Sequence, residues 1–416
     1  MRHLRRRDFL QLTSLTAGAA LLGTRLTLAA VSARRPRFVL ILMRGALDGL
    51  AAVPPYGDRD YAALRGEVAL HAPGAAGGAL RLDDTFGLHP ALGFLAESYQ
   101  ARELIVLHAV ATPYRERSHF DGQDLLENGT VRPHALASGW LNRALGQLPP
   151  PQPRAAGVAL GQNVPLIMRG SAAVTSWSPS RLGAPDEDTL ARLTDLYAGD
   201  ALLAGRLADG LSAATMMAGE SPPAEAMASA AAMGPAGAAP QRAAQARYAQ
   251  LVQAAAGFLR EEEGPRVAVF DTSGWDTHAN QGAAEGQLAS RLRALDEGLA
   301  LLKRTLGPAW NDTAVLLVTE FGRTVAVNGT RGTDHGTASA AFLLGGAVAG
   351  GRVLADWPGL APRALYQGRD LQPTLDLRAP FKGILAEHLG VSARALETEV
   401  FPDSAAARPL RGLLRA

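Results

Sequence analysis

The chain has 416 residues, no cysteine, and 41 basic against 39 acidic side chains, a formal charge of +2. The lack of sulfur removes disulfides, thiolate nucleophiles and Cys-ligated zinc together. Much of the basic excess (Arg2, Arg5, Arg6, Arg7, Arg25, Arg34, Arg35 and Arg37) lies in the first 37 residues, so the remainder has no electrostatic footprint for nucleic acid.

The length suits one large α/β domain or two smaller ones, and a hydrophobic content of 47% supplies an ample core. Arg6 and Arg7, followed by Asp8, Phe9 and Leu10, open a weakly apolar stretch from Leu12 to Ala30 that ends in small residues before Arg34, Arg35 and Pro36. This resembles a twin-arginine export signal over residues 1–33, with the export machinery as partner and a periplasmic or secreted destination. The alternatives are an amphipathic surface helix or a membrane anchor. Arg25 and several Thr, Ser and Gly make the stretch a poor bilayer-spanning helix, so no stable transmembrane span is expected. Arg25 also departs from the signal pattern and leaves cleavage open.

Residues 38–43 are six apolar residues in a row, followed by Arg44, Gly45, Ala46, Leu47 and Asp48, and predict a buried strand with a turn carrying an acid. Residues 54–87, rich in Gly and Pro, predict a long irregular excursion. Residues 104–109 form the next strand pattern, and helical spacing from Ser118 to Asn128 places Ser118 as an N-cap. An Ala-rich block over 185–262 is expected to be a helical insertion without chemistry, a cap or packing layer. The strand pattern resumes at 266–271 and empties into Asp276 and His278. A helix over 283–305 leads to a strand from Ala314, then Glu320, Arg323, Asp334 and His335, a last strand at 340–344 and a helix near 380–389. Strand alternating with helix predicts a mostly parallel, doubly wound sheet in a single domain over 34–416.

Polar residues thus follow successive strands: Asp48; Ser118 and His119; Asp276 and His278; Glu320 and Arg323; then Asp334 and His335. In open α/β sheets ligands bind outside the carboxyl ends of the strands. Carboxylates and imidazoles without sulfur suit a Zn, Mn, Mg or Ca site, and two such ions a few Å apart can polarise a phosphoryl oxygen while activating a nucleophile. Arg44 and Arg323 are candidates to bind the anionic oxygens of a substrate, the alternative for each being a structural salt bridge.

The order RGALDGL at 44–50, RSHFDGQDLLENG at 117–129, GWDTH at 274–278 and TEFGRTVAVNGTRGTDHG at 319–336 resembles the exported bacterial family DUF1501, across essentially all of the chain after the signal. That family in turn resembles the alkaline phosphatase and sulfatase superfamily in fold. The resemblance implies metal ligands at Asp48, Asp276, His278, Glu320, Asp334 and His335, and a catalytic group at Ser118 or the adjacent His119. It departs from the superfamily where Phe321 replaces the His of an Asp-His pair, which implies one ion, or two dissimilar ones. Type I sulfatase chemistry, which relies on a modified Cys or Ser followed by Pro and Arg, is disfavoured because Ser118 lacks that sequel. The implied function is an exported metal-dependent hydrolase of phosphate or sulfate esters acting on a small anionic ester. The alternative is a non-catalytic exported binding or scaffold protein that retains the fold.

Overall fold

The computed structural model describes residues 35–150, 155–179, 187–217 and 239–415. The export segment read at 1–33 and part of the Ala-rich block, 218–238, lie outside them. Among the described residues no helix is long and apolar enough to cross a membrane.

The strands in chain order are β1 (Arg37–Arg44), β2 (Leu80–Arg81), β3 (Gly87–Leu88), β4 (Leu104–Ala111), β5 (Gly157–Leu160), β6 (Val174–Trp177), β7 (Val267–Ser273), β8 (Thr313–Val318), β9 (Ser339–Leu344), β10 (Arg352–Leu354) and β11 (Leu375–Asp376). Nine of them form one sheet in the order β10-β4-β9-β8-β1-β7-β5-β6, with β11 also on β4, while β2 and β3 pair separately. Only β9 runs against its neighbours β4 and β8; the remaining pairs of the large sheet are parallel. The fold is α/β, a mixed and mostly parallel sheet flanked by helices.

Both faces of the sheet are covered, which is why its central strands read as continuous apolar runs. Alternation along β1 splits the core in two: Val39, Ile41 and Met43 face one helical layer, and Phe38, Leu40 and Leu42 the other. The first layer includes the helix Gln287–Leu306, whose buried Leu288, Leu292, Leu295, Leu299, Leu302 and Leu306 recur every three or four residues. The second includes Phe381, Ile384 and Leu385 of the helix Arg378–Glu387.

The Ala-rich block is a packing layer in the part that is described. It contains the helices Glu187–Tyr197, Ala201–Met217 and Ala239–Arg260, and it connects β6 to β7, strands separated by β5 in the sheet. Leu251, Val252, Phe258 and Leu259 of the last helix are core residues. Its later turns are thus part of the layer that covers the sheet.

The edge where β7, β1 and β8 end is tied by a buried ion pair. Asp48 follows β1 and accepts from Ala51 N at 3.2 Å, starting the helix Gly49–Ala52. Its Oδ2 is bonded to Arg65 Nη2 and accepts from Gln281 Nε2 at 2.7 Å. Arg65, wholly buried, also donates to the carbonyls of Thr324 at 3.2 Å and Val325 at 3.1 Å. One carboxylate and one guanidinium therefore join four separate segments.

Two predictions follow from these buried charges. Removing one partner of a buried pair strands the other, so Asp48→Asn should lower unfolding free energy by about 3–5 kcal/mol in urea denaturation. The second concerns His108, fully buried, whose Nε2 lies 3.0 Å from Val53 O while Ala109 N donates to its Nδ1 at 2.8 Å. Burial pushes its pKa down from 6.5 to about 4. The unfolded chain then takes up the proton first, so this contribution is complete above pH 6.5 and is lost as pH falls towards 4. The stability gap between the native chain and His108→Leu should narrow by about 3 kcal/mol between pH 7 and pH 4, at about 1.4 kcal/mol per pKa unit.

Candidate metal centre

β7 and β8 flank β1 in parallel register, so their carboxyl ends open on one edge. β1 leaves the sheet through Gly45 at φ 117°, where a Cβ would stand 2.8 Å from Asp276 N. Only glycine lets this turn lie against the segment carrying Asp276. After β4, Arg117 takes a left-handed conformation at φ 64° before the extended Ser118 and the helix His119–Asn128. The segment after β8 folds back on itself: Gly322 N donates to Thr337 O at 2.9 Å, Gly336 N to Gly322 O at 2.8 Å and Thr324 N to Asp334 O at 2.9 Å. That closed loop sets His335 opposite Arg323.

Three imidazoles and one carboxylate meet there. His119 Nε2 and His278 Nε2 each lie 3.0 Å from His335 Nε2. Asp276 Oδ1 is 2.9 Å from His278 Nε2 and 3.3 Å from His335 Nε2, and its Oδ2 is 3.4 Å from His119 Nε2. One ligand atom from each of His119, Asp276 and His335 lies within 4.8 Å of the others. Neighbouring ligands around a tetrahedral ion with bonds near 2.0–2.1 Å stand about 3.3 Å apart.

The other ring nitrogens each face an acceptor. His119 Nδ1 lies 2.8 Å from Glu320 Oε1, His335 Nδ1 2.9 Å from Arg117 O, and His278 Nδ1 3.2 Å from Asp334 Oδ1. A carbonyl or an ionised carboxylate only accepts, so each Nδ1 can donate outward while each Nε2 faces the other imidazoles and the Asp276 carboxylate. Nε2 atoms 3.0 Å apart are held together by a shared proton or by a cation between them. Histidine ligands of metals are usually held by such acceptors on the far nitrogen.

The charges around the cluster agree with this. The bond to Glu320 raises His119 above the ordinary imidazole value despite burial, whereas burial pushes His335 below it. Burial pushes the Asp276 carboxyl up, but Arg323, His278 and His335 outweigh it and hold it below the usual range. Glu320, also opposed by burial, is held low by bonds from His119, Gln123 and the Gly45 N–H. The Asn328 side chain and His278 hold Asp334 low as well. The side chains of His278 and Asp276 are 46% and 37% exposed, so a substrate can reach the cluster from solvent.

Of the ten residues singled out in sequence, His119, Asp276 and His335 form a group that could hold an ion, and His278 lies beside them against His335 and Asp276. Glu320 and Asp334 stand one layer behind, as acceptors for His119 and His278 rather than at the ion's position. Asp48 is corrected from metal ligand to structural anion, its carboxylate being taken by Arg65, Gln281 and Ala51 N. Neither arginine is free to hold a substrate anion. Arg44 pairs with Asp271 at 2.7 Å and Glu127 at 2.8 Å, and buried Arg323 bonds Asp276 and both oxygens of Thr333. Ser118 precedes the helix but its hydroxyl does not cap it, and among the described residues no hydrogen bond joins it to the imidazoles. Phe321, in place of an imidazole, stacks on His119 with ring centres 5.0 Å apart and adds an apolar wall. Sequence reasoning missed Gln281, Thr333 and the carbonyl of Arg117. Gln281 and Thr333 are uncharged, and a backbone acceptor leaves no mark in a sequence.

No curated protein matches the chain. Among solved structures, Ps i-CgsB in complex with k-i-k-neocarrahexaose is 9% identical with a TM-score of 0.41, covering 90% of this chain and 77% of that one. Ps i-CgsB alone is 10% identical with a TM-score of 0.39 over the same shares. Likeness at that level carries no inference about function. The family model described as "Protein of unknown function (DUF1501)" matches residues 35–400, and the chain belongs to that family.

Proposed function

We propose that the chain is an exported hydrolase that works with one divalent metal ion, zinc being the best fit. The observation that carries this is the convergence of the Nε2 atoms of His119, His278 and His335 with Asp276, every Nδ1 being held by a fixed acceptor. A nitrogen-rich set of this kind suits zinc over the oxygen-seeking Mg and Ca. A divalent ion held there supplies Lewis acidity, polarising a substrate oxygen and lowering the pKa of a water.

The protein's own residues do the rest. Glu320 and Asp334 pass negative charge through His119 and His278, which makes those rings better donors. Arg323 fixes the direction of Asp276. With Ser118 not bonded to the cluster, water is the nucleophile in this reading. The resemblance noted in the sequence supports phosphate or sulfate esters as substrates and the twin-arginine segment supports export.

Elemental analysis of the folded, full-length protein should find about one zinc per chain, the number a single site takes. His335→Ala and His119→Ala should each lose it. A folded native chain that binds no divalent metal contradicts the proposal, and bound metal without turnover of any phosphate or sulfate ester makes the chain a metal-binding scaffold. Glu320→Gln should keep the fold and weaken zinc affinity about 10–100-fold, the usual effect of removing an outer-layer partner. Competition titration with a chelator reads that loss.

A further inference from the structure

A second feature lies on the same edge of the sheet, where β4 and β11 end side by side. A cavity of about 210 Å³ opens there, lined by Ala111 and Thr112 at the end of β4, by Arg115, and by residues 373–376. It falls below the roughly 300–1,000 Å³ of pockets for whole drug-sized ligands, so it fits one substituent of a larger molecule.

The lining is unbalanced. Arg115 spends Nη1 on two backbone carbonyls, those of Thr112 and Tyr114. Among the described residues no carboxylate comes within 4.0 Å of its guanidinium, and its Nε and Nη2 make no hydrogen bond. Burial pulls its pKa down, and nearby Tyr366 and Asp376 do not make up the difference. Asp376, the acid in the lining, is already gripped by Arg378, whose Nη2 is 2.7 Å from Oδ2 and whose Nε is 3.0 Å from Oδ1. With Asp376 paired to Arg378, Arg115 is the cation of the lining that has no carboxylate partner of its own. Thr374 Oγ1, also in the lining, is buried without any partner. A buried hydroxyl left unbonded is destabilising, and turning into the cavity to meet a bound acceptor would relieve it.

The cavity is joined to the metal centre by a short path. Arg115 and Arg117 each place Cζ 6.0 Å from the ring centre of Tyr366. Arg117 in turn holds His335 through its carbonyl. We propose that this cavity is an oxyanion subsite: Arg115, through its free Nε and Nη2, and the Thr374 hydroxyl grip a phosphate, sulfate or carboxylate group. That the group belongs to the substrate rests on the function proposed above; that the subsite binds an oxyanion does not. It also moves anion recognition away from Arg44 and Arg323, which are occupied internally.

The test is calorimetric titration of inorganic phosphate, sulfate and acetate into the full-length chain, with zinc and after chelation. Binding of one of these ions should persist without zinc, because none of the gripping groups is a metal ligand. Arg115→Ala should weaken it about tenfold or more and Arg115→Lys by less, since an ammonium loses the two-point grip of a guanidinium. Thr374→Val should weaken it several-fold while zinc content stays that of the native chain. A preference for acetate over phosphate and sulfate would assign a carboxylate, and the reverse a tetrahedral group. If no ion binds, or if binding disappears with zinc and is unchanged in Arg115→Ala, the subsite is refuted. Should the native chain hold no zinc yet bind the anion through Arg115, the metal proposal fails and the subsite stands.

Discussion

The placing of three imidazole Nδ1 atoms against Glu320, Asp334 and the carbonyl of Arg117 is the constraint on which this site depends. It leaves His119, His278 and His335 one orientation each, with the basic nitrogens facing inward at contact distance. In the proposed reading a cation gathers these nitrogens as a ligand set. The electrostatics also run in opposite directions in adjacent rings, His119 raised by its carboxylate and His335 lowered by burial.

Such orientations require a rigid base, and the sheet edge provides it. From the buried pair Asp48–Arg65 a continuous set of hydrogen bonds runs outward. Gln281 donates to Asp48 at 2.7 Å, accepts from Thr277 at 2.8 Å and Thr333 at 2.9 Å, and Thr333 Oγ1 accepts from Arg323 Nε at 3.2 Å. Arg323 then holds Asp276. Because these groups, Arg65 Nε excepted, are bonded to one another and mostly buried, displacing any of them exposes an unpaired polar atom, and the outermost carboxylate, that of Asp276, inherits that stiffness. The acid after β1 thus matters to the site without lying in it.

The sequence made the frame legible but not the depth of each side chain. The apolar runs at 38–43, 104–109, 266–271 and 340–344 lie within two residues of β1, β4, β7 and β9, because fully buried strands must be apolar on both faces. The short strands β5, β6, β10 and β11 went unread, being of two to four residues and of no distinctive pattern. At the site, position after a strand end gathered His119, Asp276, His278 and His335, which lie together in the structure. It could not separate ligands from their supports, since Glu320 and Asp334 have the same chemistry as ligands and differ only in how their backbone folds. The partners of Arg44 were also invisible: Asp271 lies 227 residues away in the chain and becomes adjacent only when β1 and β7 pair.

An ion held as proposed would face solvent on the side of His278 and Asp276 and be backed by Phe321. Its identity is read most directly by X-ray absorption at the zinc edge on the zinc-loaded, full-length chain. The expected spectrum shows three imidazole nitrogens and a carboxylate oxygen at about 2.0–2.1 Å. A first shell with one imidazole or none, or zinc spread among weak surface sites, would contradict the convergence of His119, His278 and His335 on one ion.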